Sequence, residues 1–354
     1  MDLPFFTNSV YEPVQLTPEQ LTDLNEAGDD DRHILRTRPF KDGPGEEYAE
    51  EVISSFHKTV EDAGFLARHL GDPEEPPQFS YEMWFDDGKL KFIWSVPDDF
   101  WYDESRRVIT GEYPKIGIER MGKDHPTFTA ESHISGGKLD LKNHKHIPIK
   151  GTSGPGAFEA DKAPLRLITS EVTGQQDTSA LVQVAFQPAP LNWREGDGIL
   201  NPGAATLAKD YKYGNFEDSY INPKISDATE QDLRIARALN NHDGDPAFYA
   251  TIRYFVFAPT KEIAQNHASS IGNAYRGTYK NSELNQGFTH TPLTGDDLVD
   301  ELIDALNRDH DGSERPFTVP ELAGLAHIPN DEIDTPNVDW TSKGLGSPDP
   351  AEAP

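Results

Sequence analysis

The chain has 354 residues, enough for two or three domains with a substantial core. Its 61 acidic and 32 basic residues leave a formal charge of −29, and it contains no cysteine. These counts exclude disulfide, thiolate-metal and cysteine-nucleophile chemistry. They also argue against direct nucleic-acid binding, which calls for a basic patch or stripe.

The acid excess is spread along the chain. Such a charge repels itself unless salt screens it, and molar salt shortens the Debye length to about 3 Å. Adaptation to a saline cytoplasm is the reading adopted; one acidic face for a basic partner is its rival. Met1-Asp-Leu-Pro-Phe-Phe6 has no basic n-region and no long apolar h-region. No apolar stretch approaches the ~18–20 residues of a membrane span. The expected location is the cytoplasm, or the cytoplasmic face of the membrane with any contact made through partners.

Residues 1–32 read as an N-terminal arm with a short helix at Thr17–Asn25. Ile34–Phe40 is a short strand. Glu46–Leu70 carries Tyr48, Val52, Phe56, Val60, Ala63 and Ala67 at helical spacings, and Pro73, Pro76 and Pro77 end it. Phe79–Phe85 and Leu90–Val96 flank Asp86-Asp-Gly-Lys89, a hairpin signal. Asp98–Ile109 is a helix with Asp98 or Asp99 as N-cap, and Lys115–Arg120 a final strand. The order β-α-β-β-α-β is that of a ferredoxin-like, split βαβ unit.

Thr127–Ile134 and Lys138–Ile149 read as two strands around Gly136-Gly137. A Gly-rich break at Gly151–Gly156 precedes a helix near Pro164–Val172. Ala180–Gln187 is a buried strand, Pro188–Pro223 an irregular insertion, Thr229–Asn240 a helix, Ala247–Phe257 a strand and Thr260–Tyr279 a helix. Thr294–Asn307 is an acidic helix with Leu298, Leu302 and Leu306 on one stripe. Residues 308–354 form a tail with one short helix at Val319–Ala326, and beyond Trp340 its composition favours disorder. The expected class is α+β: two tandem ferredoxin-like units, the second with a long insertion, plus an extended C-terminal tail. The boundaries are 1–32 for the arm, 33–125 and 126–292 for the units with the insertion at about 188–226, 293–340 for helices and linker, and 341–354 for the tail.

The chemistry-bearing motifs are sparse. No G-x-x-x-x-G-K-[ST] string occurs; Gly151-Thr-Ser-Gly-Pro-Gly156 lacks its Lys, and Pro155 removes an amide donor, so it reads as a flexible connector. His144 and His146 stand two apart, as on one strand face, among Lys138, Lys142, Lys145 and Lys150; a surface location is the simpler reading and no third metal ligand is evident. Asn307–Gly312 resembles the opening of an EF-hand loop, but position twelve is Thr318, so a polar turn is preferred. No G-x-S-x-G elbow supports a Ser/His/Asp triad. No cofactor or metal is expected. Tyr81, Trp84, Phe85, Phe92, Trp94, Phe100, Trp101 and Tyr102 cluster on the hairpin and the next helix. Core packing comes first, a protein-interaction surface second, and base stacking last, because Asp86, Asp87, Asp98, Asp99 and Asp103 stand where basic neighbours would be needed.

Phe317-Thr-Val-Pro-Glu-Leu-Ala-Gly-Leu-Ala-His-Ile-Pro329, followed by Thr335-Pro-Asn-Val-Asp-Trp340, resembles the segment joining the N-terminal domain to the motor in conjugation-type, HerA/FtsK-class DNA-pumping ATPases. Ala163-Pro-Leu165, Val182–Pro188 with Trp193, and Phe248–Val256 are similar to further runs of that family, in the same order. The resemblance covers roughly residues 30–345. It implies a haloarchaeal relative of the N-terminal domain of type IV secretion or conjugation-like ATPases: a non-catalytic scaffold or adaptor, without the motor. The partner it implies is a P-loop ATPase or another secretion-complex protein, with homo-oligomer assembly as a further option. Trp84, Trp94, Trp101, Leu322, Leu325, His327 and Trp340 are the interaction candidates. The alternatives are a fragment of a full-length translocase and an enzyme with an unrecognised site.

Overall fold

The strands of the chain join in a single ten-stranded mixed-α/β architecture, seen in a computed structural model. It describes all residues except 1–10, 29–31, 58–75, 123–130, 155, 160–162, 175–176, 191, 196–201, 214–227, 242–245 and 342–354. In chain order the elements are β1 (Val14–Gln15), α1 (Pro18–Glu26), β2 (His33–Arg38), a 3-10 turn at Gly45–Tyr48 leading into α2 (residues 49–57), β3 (Phe79–Asp86), β4 (Lys89–Val96), α3 (Asp99–Glu112) and β5 (Gly117–Met121). There follow β6 (His133–Leu141), α4 (Arg166–Val172), β7 (Ser179–Pro188), α5 (Ala204–Tyr213), α6 (Glu230–Asn241), β8 (Ala247–Ala258), α7 (Lys261–Thr278), β9 (Phe288–Leu293), α8 (Gly295–Asn307), β10 (Pro316–Thr318) and α9 (Val319–Leu325).

The strand order is β1-β6-β8-β7-β3-β4-β2-β5, with β9 also on β6 and β10 also on β8, and every pair of these strands is antiparallel. The β3–β7 pair, Phe79↔Phe186 through Phe85↔Ala180, joins the two halves expected from sequence. Local chemistry sets the element ends. Asp87 and Gly88 both hold positive φ, 49° and 68°, as a tight hairpin between β3 and β4 requires. The Asp98 carboxylate caps α3 by accepting from Trp101 N, and the Thr260 hydroxyl caps α7 by accepting from Ile263 N.

The alternating pattern of the strands gives the sheet two covered faces. One packs under α2, α3, α4, α7 and α9 with Trp94, Tyr81, Phe92, Phe79, Phe186 and Tyr254 in a large apolar core. The other lies under α1 and α8, where Leu298, Leu302 and Leu306 meet Trp84, Ile93, Leu181 and Phe255. On this second face one register line carries Arg36, Ile93, Glu82, Gln183, Arg253 and Lys138 on successive strands. Glu82 pairs with Arg308 at 3.0 Å, and Arg253 with Glu301 at 2.8 Å. Arg253 also donates to Gln183 and to the carbonyls of Asp304 and Asp309, which fastens the C-terminal end of α8 to the sheet.

Four expectations need correction. Gly136-Gly137 is not a turn between two strands but the middle of β6. A Cβ on Gly137 would sit 2.7 Å from the Tyr254 hydroxyl and 2.9 Å from Thr291 O, so close packing explains the glycine. The strand ends at Leu141, so His144 and His146 lie in the loop after it. The insertion contains a helix, α5, which packs on α6 through Leu207, Ala208 and Leu239. Finally, residues 316–341 are no loose tail. They pair through β10 with β8 and run on to β4 and β2: Leu90 N donates to Asn337 O, Asp339 N to Leu90 O and Thr341 N to Pro39 O. The expected helix over 58–70, the strand start at 127 and the disorder beyond 341 lie outside the described residues.

Candidate functional site

Two separate segments quoted above, the Trp193 region and the Phe317–Pro329 region with Pro316 before it, come together around a cleft of about 290 Å³, counting its open mouth. Its walls are the loop after β6, the turn after β7, the α5–α6 pair, and β10 with the start of α9. His146 stands in the first wall. The loop that carries it is clamped from two sides. The Gln286 side chain donates to the carbonyls of His144 and Ile147 at 3.1 and 3.0 Å and accepts from Asn143 N at 3.0 Å. From the other side Glu321 accepts from Ile149 N at 2.7 Å. Glu321 also accepts from Thr318 N and the Thr318 hydroxyl, the reach-back half of a capping box at the start of α9.

His146 is 7% exposed, and neither ring nitrogen has a hydrogen-bond partner. Its ring lies 5.7 Å from that of Trp193 and 5.2 Å from that of His144. Burial, then the neighbouring His144, Lys145 and Arg194, push its pKa down to about 3, so the imidazole is neutral near pH 7. Burial and Lys145 also lower His144. The Arg194 guanidinium rests 5.6 Å over the Trp193 ring and donates to Leu239 O, tying the turn to α6.

Sequence spacing places the two histidines at the surface, and the structure corrects this for His146. His146 is buried because the insertion and the C-terminal segment close over its loop, and neither closure is visible in local spacing. Nothing in the sequence marks Gln286 and Glu321; their contacts span 142 and 172 residues, and no short-range pattern announces them. Among the described residues no group of three or more His, Asp and Glu is placed to hold a metal ion. Asp311, read as part of a polar turn, serves the ion network instead: it meets Lys138 at 2.9 Å and Arg315 at 2.9 Å. Hydrogen bonds from Ser313, Thr251 and Lys138 outweigh burial and hold its carboxyl well below the usual range. The Gly151–Gly156 loop is not a free connector. Thr152 N donates to Pro320 O, and a Cβ on Gly151 would lie 2.9 Å from the Pro320 carbonyl carbon.

The interaction candidates do not gather in one place. Trp84 is buried on the α8 face with Nε1 donating to Glu82 at 2.9 Å. Trp94 and Trp101 are buried on the opposite face among Phe56, Phe79 and Tyr81. These three rings pack in the interior, so a surface patch built from them is corrected to core. Phe100 turns outward, 59% exposed. Leu322, Leu325 and His327 are likewise buried, with the Tyr81 hydroxyl donating to His327 O at 2.6 Å. Trp340 is partly buried beneath the Lys41 ammonium, 5.8 Å from its ring centre.

The sheet, its two helical layers and the threaded C-terminal segment define a mixed α/β domain that spans nearly all the described chain. The chain belongs to the family described as a domain of unknown function (DUF8128), whose profile matches residues 6–341. No curated protein matches it. Among the described residues no helix is long and apolar enough to cross a membrane.

Proposed function

We propose that this domain is a non-catalytic docking scaffold for a DNA-translocation or secretion ATPase, and that residues 316–341 are the element that couples it to its partner. The observation that supports this most is the path of that segment. It begins as a strand on β8, passes as α9 in the helical layer, and ends clasped to β4 and the end of β2 at the far half. Arg36 and Arg38 hold Asp339 at 2.7 and 3.0 Å near its end. A pull on the chain at residue 341 is thereby carried into both halves of the sheet. The same segment is the one that resembles the domain-to-motor linker of HerA/FtsK-class ATPases.

The strand orders add to the reading. β5-β2-β4-β3 and β9-β6-β8-β7 each place the first strand between the third and the fourth, as in a split βαβ unit. The two units then stand back to back through β3 and β7, with α5 and α6 as the insertion of the second. Such a tandem offers rigid, broad surfaces for assembly.

An affinity pull-down from the native host in molar KCl, read by mass spectrometry, tests the proposal. Recovery of a P-loop ATPase above a tagged control, with no ATP hydrolysis by the purified domain, is the expected result. If no ATPase is enriched, or if the pure protein hydrolyses ATP, the docking reading fails.

A further inference from the structure

We propose that the His146 cleft is a binding site for a small carboxylate-type anion. This inference stands apart from the docking reading above.

Three observations converge. His146 is more than nine-tenths buried, and both of its ring nitrogens face no protein partner. A buried polar atom without a partner costs roughly 1–3 kcal/mol, so a ligand or a water is expected to meet it. The charge around the cleft is positive in a chain that is otherwise strongly acidic: Lys145 and Arg194 stand in its wall. Glu321 is the carboxylate among the lining residues, and its oxygens are engaged by Ile149 N, Thr318 N and the Thr318 hydroxyl. Lys145 reaches Glu314 at 3.5 Å, but Glu314 is 64% exposed, and such a pair is weak and leaves the ammonium field in the cleft.

The remaining wall limits the size and kind of anion. Trp193, Pro148 and Leu239 give it apolar sides. The space inside the cleft itself is about 10 Å³, close to what one water needs, and the rest of the 290 Å³ is its open mouth. A nucleotide does not fit inside; one carboxylate oxygen has room beside His146, with the rest of a short-chain acid in the open mouth. Neutral His146 supplies one N–H to a carboxylate oxygen, Lys145 supplies charge, and the apolar sides take the short chain.

The test is an acetate titration of the full chain in molar KCl, followed through the His146 imidazole and Trp193 indole resonances by NMR. Matched additions of KCl serve as the control. Expected is a saturable shift of both resonances with acetate and none with KCl. Lys145→Gln should raise the apparent Kd about tenfold while the other amide resonances keep their positions, and His146→Gln should abolish the Trp193 response. A parallel titration with N-acetyl-aspartate amide separates a free acid from a carboxylate carried on a peptide. A linear response to acetate, an equal response to KCl, unchanged affinity in Lys145→Gln, or binding of the blocked aspartate alone would each overturn the proposal.

Discussion

The two faces of the central sheet are built from the same strands but held in different ways. Under α2, α3, α4, α7 and α9 the contacts are almost wholly apolar, with ring on ring: Phe79 lies 4.9 Å from both Phe56 and Trp101, and Tyr81 lies 5.0 Å from Trp94. Under α8 the apolar stripe is interrupted by a row of buried Glu82, Gln183 and Arg253, with the partly buried Lys138 at its end. Apolar contact is non-directional. Moving one strand by a residue would turn all its side chains to the opposite face, but only on the charged row would it also strand buried charged partners. On the second face the directional contacts of Arg253 seat the end of α8 on the sheet. Buried ion pairs are poor stabilisers overall, because desolvation offsets their attraction. Their value here lies in the cost of breaking them.

The largest effect should therefore come from the polar face. Arg253→Ala removes the donor to Gln183 Oε1, Glu301 Oε1 and Asp309 O and one of the donors to Asp304 O, while Lys138 still meets Glu301 Oε2. We expect a loss of about 3–5 kcal/mol in urea unfolding at fixed KCl. A loss under about 1 kcal/mol would mean that the row contributes nothing to the choice of fold. On the apolar face, Leu322→Ala removes a fully buried side chain of α9. It should cost about 2–4 kcal/mol, within the range for core truncations. A negligible cost would show that the C-terminal segment sits on the domain without belonging to its core.

Much of the strand and helix plan could be read from the chain, and for identifiable reasons. The β3–β4 hairpin announced itself through Asp87-Gly88, and α3 and α7 through Asp98 and Thr260, because turn and cap chemistry acts within a few residues. Gly136-Gly137 misled because the same residue that permits a turn also permits close packing. What set its role was Tyr254, more than 100 residues away. The buried state of 316–341 was invisible for a similar reason: its proline-rich, polar sequence looks like a linker, and only pairing with β8, β4 and β2 makes it core. The cleft at His146 was the least legible feature. Its four walls come from four distant stretches, and the two histidines alone carried no sign of what would cover them.

A pH-dependent effect follows from the buried histidines. Burial lowers His327 to about 4 and His310 to about 4, and it also lowers His267 and His290. For a base whose folded pKa lies below its unfolded value, the unfolded chain binds the extra proton between the two values. For His327 and His310 stability therefore falls as pH drops from about 6.5 toward 4, by up to about 1.4 kcal/mol per pH unit for each, and His267 and His290 act in the same direction. Urea midpoints measured across that window should show this slope. His327→Gln, on the apolar face, should flatten it by about one histidine's share. An unchanged slope would mean that His327 gains its proton without opening the core.

The smallest of the expected effects tests where the two strategies meet. Tyr81 belongs to the aromatic core, yet its hydroxyl donates to His327 O at 2.6 Å, a polar bond inside the apolar face that joins β3 to the C-terminal segment. The Tyr279 hydroxyl makes a matching bond to Gly324 O at 2.7 Å. Tyr81→Phe keeps the ring and removes the donor, leaving a buried carbonyl with one bond fewer, at a cost of about 1–1.5 kcal/mol. Hydrogen exchange tells what that bond does. If the amides of residues 337–341 lose protection more than those of β3, the hydroxyl pins the segment, and a few oriented bonds give the apolar face the directionality that the charged row gives the other. If protection falls evenly, ring packing alone holds the segment, and the directional work of this fold is confined to the face beneath α8.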